Sequence, residues 1–245
     1  MKAVVLGATG GIGRAISRRM AARGDRLFLL GRDPYDLAAS AKDLEAHGAI
    51  PPVGSTTCDL LQPETFAPAL DRAAAELGGF DTVIVTAAQF ATQDRLETEP
   101  DTLCRLLLAN FTHTIGLCEE VRRRLLARGG GTLCVVSSVA GERARKPVVL
   151  YGAAKAGLLY YLEGLDHRFR SAGLRTVSVK LGFVRTAMTA GLRVPPFAGE
   201  PDAVAARILR AIDRGRPVVY APPIWRWIAV VLRSLPRAVL RRLEF

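Results

Sequence analysis

Short apolar segments recur along this chain, separated by stretches of helix length, and this alternation constrains the fold more than any other feature. The segments are Ala3–Leu6, Arg26–Leu30, the weaker Pro51–Thr57, Thr82–Val85, Leu133–Val136, Arg175–Val179 and Val218–Tyr220. Between them, helices are expected up to Arg23, over Tyr35–Ala46, Pro63–Leu77, Leu103–Arg128 and Pro147–Arg170. Glycines at 24, 48, 129–131 and 173 punctuate the helix ends. Strands this apolar, each followed by a helix, predict an α/β chain with a doubly wound, mostly parallel sheet of about seven strands and helices on both faces. No internal repeat or linker divides the sequence, so 1–245 is read as a single domain, long enough to bury its own core.

Composition narrows the function. Hydrophobic residues at 49% and charged residues at 23% exclude a disordered chain. A formal charge of +11 favours an anionic partner without choosing one. No nucleic-acid recognition motif accompanies it, so no nucleic-acid partner is expected. Cys58, Cys104, Cys118 and Cys134 form no CxxC pair and read as small core residues in a reducing compartment. The three histidines show no metal-ligand spacing, and no metal is expected. The first residues lack the apolar stretch of a secretory signal, and no run has the roughly 20 apolar residues of a bilayer span. The location expected is cytoplasmic, with peripheral contact to the inner face of a membrane.

The first strand runs into Gly7-Ala8-Thr9-Gly10-Gly11-Ile12-Gly13 and then a helix. Glycines there permit a tight turn and close backbone approach, and the helix start offers unpaired amides to a pyrophosphate. A glycine turn after a strand also has a purely structural reading. The second strand ends in Leu30-Gly31-Arg32-Asp33. Gly31 and Arg32 leave room and a cation for a 2′-phosphate, which points to NADP. Asp33 keeps NAD open, since it either caps the next helix or turns toward a ribose. Asp59, after the third strand, can accept from an adenine amino group or cap a turn.

Ser138 follows the fifth strand, and Tyr151 and Lys155 stand four apart on the helix beyond it, sharing one face. A tyrosine is a poor base at neutral pH, and a nearby ammonium stabilises its phenolate. Such a pair exchanges a proton with an alcohol or carbonyl oxygen, while Ser138 donates a hydrogen bond to the same atom.

Together, the glycine turn, Ser138, and Tyr151 with Lys155 resemble the short-chain dehydrogenase/reductase family over at least Lys2–Ala190. The resemblance implies a Rossmann-type fold, an NADP(H) cofactor and interconversion of a secondary alcohol and a ketone. It implies Asn110, Ser138, Tyr151 and Lys155 as the catalytic set, with Asn110 holding a water that relays protons to Lys155. It also implies cofactor contacts from Gly7, Thr9, Gly10, Gly11, Ile12, Gly13, Arg32, Asp59, Leu60, Ala87, Tyr151, Lys155, Gly182, Val184 and Thr186, and a homo-oligomer. The chain departs from the family's Asn-Asn-Ala-Gly at Thr86-Ala87-Ala88-Gln89, and Leu181 stands where a proline is usual. Thr86 is expected to replace part of the bracing by the first of those asparagines.

A substrate flap is expected over 188–217. Its Leu192, Val194, Pro195, Pro196 and Phe197 favour an apolar substrate. The basic, apolar tail at 221–245 carries both tryptophans, Trp225 and Trp227, and sets Arg233, Arg237 and Arg241 four apart. It resembles the tails of membrane-associated reductases acting on polyprenyl-phosphate-linked sugars, such as the decaprenylphosphoryl keto-pentose reductase group. That likeness implies contact with an anionic membrane surface and a lipid-linked ketone substrate; packing on the domain or a partner subunit is the alternative.

Overall fold

Ala3 and Val5 face one side of the first strand, Val4 and Leu6 the other, and all four are buried. The same alternation sets Leu27 and Leu29 against Phe28 and Leu30, and Leu133 and Val135 against Cys134 and Val136. A sheet with two apolar faces must be covered twice, and it is. The computed structural model describes residues 1–242. Its strands are β1 (Lys2–Leu6), β2 (Arg26–Gly31), β3 (Gly54–Thr57), β4 (Thr82–Val85), β5 (Gly131–Ser138), β6 (Leu174–Leu181) and β7 (Val218–Ala221). They form one seven-stranded sheet in the order β3-β2-β1-β4-β5-β6-β7, with every neighbouring pair parallel.

On one face lie α1 (Gly11–Ala22), α2 (Pro34–Ala46) and α8 (Pro201–Asp213), which bury Ile16, Leu37 and Ile208. The other carries α3 (Phe66–Leu77), α6 (His113–Ala127) and α7 (Val149–Phe169), which bury Leu70, Val121 and Leu162. Two short helices, α4 (Gln93–Thr98) and α5 (Pro100–Leu107), precede α6. The chain winds outward from β1 through β2 to β3 and then returns to start again at β4. The loops after β1 and β4 therefore leave in opposite directions and open a crevice at the carboxyl ends of the strands.

Several boundaries differ from the sequence reading. The helix expected over Leu103–Arg128 is broken by a π-helical turn at Leu108–Thr112, which contains Asn110. β5 and β6 run further than their apolar cores, so Ser138 is the last residue of a strand rather than part of a loop. Helix α8 occupies much of 188–217. In the tail, α9 (Ile224–Ser234) stops before Pro236, and the four-residue α10 (Arg237–Leu240) starts afresh beyond it. Proline lacks the amide that would continue the helix, so Arg233 and Arg237 lie on separate helices and form no continuous stripe. The tail residues 243–245 lie outside the described residues. Of the cysteines, Cys58, Cys118 and Cys134 are buried as expected, but Cys104 is exposed, because α5 turns it away from the core.

Candidate active site

The glycine turn is built on close approach. Gly7 has φ +86°, and a Cβ there would sit 2.6 Å from Thr86 Oγ1. A Cβ on Gly13 would overlap the Gly7 carbonyl oxygen, and one on Gly11 would lie 2.9 Å from Thr186 Cγ2. No side chain caps α1: Gly10 is extended at its start, and no side-chain cap bond is made. The first-turn amides thus remain available to an anion, in a cradle that any side chain would fill. A cleft of about 280 Å³ opens there, lined by the glycine turn, the ends of β2 and β4, Tyr151, Lys155 and Thr186. These residues fit the diphosphate of a dinucleotide.

At the end of β2, the Asp33 carboxylate accepts from the amides of Tyr35 (2.8 Å) and Asp36 (3.1 Å). It is the N-cap of α2, through Oδ1 alone. Arg32 is exposed and lines the cleft, with Gly31 beneath it packed against Leu37. Asp59 makes the turn contact expected of it and stands at the cleft. Its Oδ1 accepts from the Leu61 amide (2.9 Å), and the residue also borders the cleft, beside Leu60.

Ser138, Tyr151 and Lys155 come together where β5 meets α7. Ser138 Oγ accepts from the Ala140 amide (3.1 Å), donates to the Leu181 carbonyl (3.3 Å) and lies close enough to the Tyr151 hydroxyl to favour its ionised form. Lys155 is fully buried, and its Nζ lies 5.7 Å from the Tyr151 ring centroid. Burial pushes the Tyr151 hydroxyl up to about 12 against the counter-effect of the Ser138 bond, and pulls the Lys155 ammonium down to about 8. The expected lowering of the tyrosine by its lysine is thus absent here. Burial disfavours both ions, and the tyrosine is held as a neutral proton donor.

Asn110 stands apart from this group. Its Oδ1 accepts from the Gln89 amide (2.8 Å) and its Nδ2 donates to the Gln89 carbonyl (2.7 Å). The amide is thus engaged at both ends by the loop after β4. Thr86 does replace the brace: Oγ1 donates toward the carbonyls of Leu6 (3.0 Å) and Gly7 (3.2 Å), tying the two loops of the crevice together. Ala87 lines the cleft, whereas the Val184 side chain is core and Gly182 is covered by the Trp225 indole. Residues 183–185 are pinned to the start of α8, with the Gly199 amide donating to the Phe183 carbonyl (2.8 Å) and Arg185 to Gly199 (3.0 Å).

Three features escaped the sequence. Phe90 meets the Tyr151 ring edge-on, with centroids 5.3 Å apart. Met188 lines the cleft. Glu142, just beyond Ser138, pairs with Lys180 and Arg233 and accepts from the Tyr220 hydroxyl (3.3 Å). None carries a spacing signal in the sequence.

The sequence profile of the short chain dehydrogenase family matches residues 1–195. An uncharacterised oxidoreductase of Mycobacterium tuberculosis is 33% identical over 240 residues, covering 98% of this chain and 96% of that protein. A carbonyl reductase family member 4 of Xenopus tropicalis is 27% identical over 217 residues, covering 85% of this chain and 89% of its own. A short-chain type dehydrogenase/reductase from Mycobacterium ulcerans shares the fold with a TM-score of 0.82 at 20% identity, covering 98% of this chain and 97% of that one. These matches overturn the likeness of the tail to polyprenyl-phosphate-sugar reductases. Nearly the whole chain superposes on an ordinary member of the fold, and α9 packs on β7 with Ala229 buried and Trp225 laid over Gly182. Trp225 and Ala229 give the tail helix a face that packs on the domain, Trp227 stays exposed, and among the described residues no helix is long and apolar enough to cross a membrane.

Proposed function

The chain belongs to the short-chain dehydrogenase family and is an NAD(P)(H)-dependent oxidoreductase, and from that premise we propose that it is an NADPH-preferring reductase of a hydrophobic ketone. The cofactor preference rests on one observation: Asp33 caps α2, which leaves Arg32 as the charged group at the end of β2 that borders the cleft. Arg32 would hold the 2′-phosphate, the amides opening α1 the diphosphate, and Lys155 and Thr186 the far end. The bound cofactor supplies the hydride.

The protein's own groups orient the carbonyl and deliver the proton. Ser138 and Tyr151 would share the substrate oxygen, each as a donor. Tyr151, whose hydroxyl burial keeps neutral, would give its proton to that oxygen. Asn110, through Gln89, positions the loop that flanks Phe90. An apolar substrate is supported by Phe90 against Tyr151, by Met188 in the cleft, and by the half-exposed Val194 and Phe197 of the segment that joins Thr186 to α8. Residues 188–199 are proposed to close over it, hinged between the Gly199 pairing and the Trp225 Nε1 bond to the Phe197 carbonyl (3.4 Å). The relative named as a carbonyl reductase supports the reductive direction.

The test is consumption of NADPH and of NADH against aliphatic and aromatic ketones of increasing size, with Tyr151→Phe alongside. NADPH turnover that strengthens with apolar size, and falls by about 10²-fold or more in Tyr151→Phe, is expected. Preference for NADH, or unchanged turnover in the variant, would overturn the assignment.

A further inference from the structure

Several guanidinium groups of this protein face a carboxylate on a neighbouring turn or helix. Arg18 pairs with Asp43, Arg95 with Glu99 and Arg170 with Asp166. A cavity of about 520 Å³ enclosed by the end of α8, the free edge of β7 and α9 departs from that pattern. Arg207, Arg210, Arg214, Arg216, Arg226 and Arg233 line it, and no acidic residue does. Among the described residues, Arg233 alone of these six has an ion-pair partner, Glu142 at 3.1 Å. Asp213, the carboxylate nearest in sequence, is turned away to Arg23 at 3.1 Å.

Like charges gathered without counter-ions repel one another. Burial, then the charges of Arg210 and Arg216, pull the Arg207 guanidinium below its ordinary value. The carboxyl end of α8 offsets part of that repulsion for Arg210 and Arg214. It does nothing for Arg226 and Arg233, which come from α9. Arg207 is already fixed in the wall, its Nε donating to the Tyr220 carbonyl at 2.6 Å. The cavity shares no lining residue with the cofactor cleft. It is concave, within the ordinary size range of small-ligand sites of roughly 300–1,000 Å³. Guanidinium forks match phosphate oxygens two at a time, and Val218 and Val230 give the walls an apolar portion.

We propose that this cavity binds a small phosphate-rich anion, a polyphosphate or a multiply phosphorylated metabolite. The site does not depend on the substrate or cofactor preference argued above. Its closest link to the catalytic region is Arg233, whose partner Glu142 follows Ser138 in the loop after β5. Arg233 is therefore unsuitable for the test, and the exposed Arg210 and Arg214 are used instead.

Tripolyphosphate is titrated calorimetrically into the full chain saturated with NADPH, so that the glycine turn is not the site observed. The Arg210→Ala/Arg214→Ala double variant and Arg32→Ala are titrated in parallel, each checked by thermal melting. Saturable one-to-one binding that weakens at least tenfold in the double variant and not in Arg32→Ala is expected. Should NADPH itself fail to bind, the contrast between the two variants still locates the anion. Absence of saturable binding at low salt, or equal affinity in the double variant, would overturn the proposal. Tighter binding of duplex DNA or of anionic vesicles, lost in the same variant, would also overturn it by assigning the face to a macromolecule or a bilayer.

Discussion

Replacing Arg32 and Asp33 one at a time separates two roles that lie side by side in sequence. Arg32→Ala removes the one guanidinium at the end of β2 that borders the cleft. A hydrogen bond between charged groups contributes about 1.5–3 kcal/mol. Arg32 is exposed, so water and salt screen the contact and the lower end applies. About 1.4 kcal/mol is tenfold in affinity, so NADPH should bind roughly tenfold more weakly and NADH nearly as before. Asp33→Ala removes the two amide contacts that open α2. Loss of an N-cap costs about 1 kcal/mol, and for a chain of this size that lowers Tm by roughly 2–4 °C. The ratio of NADPH to NADH affinity should not move. Fluorescence titration of both cofactors against the parent and both variants, with a thermal melt of each, reads all of these quantities. The reasoning fails if Arg32→Ala leaves the ratio unchanged. It also fails if Asp33→Ala weakens NADH tenfold without lowering Tm, for then the carboxylate serves a ribose.

Burial holds Lys155 at about 8 against an ordinary 10.5, so the folded protein binds fewer protons than the unfolded chain between these values. Its stability should rise with pH across that window, and the cost, about 3 kcal/mol, is fully present below pH 8. Lys155→Met is therefore expected to raise the Tm of the cofactor-free protein at pH 7 by several degrees while abolishing turnover, with the advantage shrinking toward pH 10.5; an unchanged or lower Tm at pH 7 would contradict it. Asn110→Leu strands the Gln89 amide and carbonyl, at about 1 kcal/mol or more each. Urea denaturation should show a loss of about 2 kcal/mol, with Asn110→Asp losing at least as much, because its second oxygen would face the Gln89 carbonyl in a buried site.

The parts of this architecture that were legible in the sequence are those set by local rules. Buried parallel strands read as apolar runs, and Gly7, Gly11 and Gly13 read as a turn because each excludes a side chain for a steric reason. Tyr151 and Lys155 share a face because helix geometry leaves no choice. What was not legible depends on contacts between distant segments. The π turn at Asn110 accompanies a side chain engaged by Gln89, 21 positions away, and nothing in Leu108-Ala109-Asn110 announces that partner. The effect of burial on Tyr151 is not legible for a similar reason. A lysine four residues away suggests a stabilised phenolate only if it is charged, and the packing that buries the pair works against both charges.

The tail shows how one composition supports two opposite structures. Tryptophans, leucines and arginines at helical spacing suit an interface between water and lipid, and they suit equally a helix that packs on its own domain while directing cations elsewhere. Two features far from the tail hold one face of its helix on the domain. Gly182 ends the neighbouring strand with no side chain, leaving a flat surface that the Trp225 ring covers. Glu142 is nearly buried, and its carboxylate draws Arg233 inward alongside Lys180. Trp225 and Arg233 are thus engaged by the protein, whereas Trp227 and Val231 of the same helix stay exposed, and Arg226 joins the arginines of α8 around a cavity.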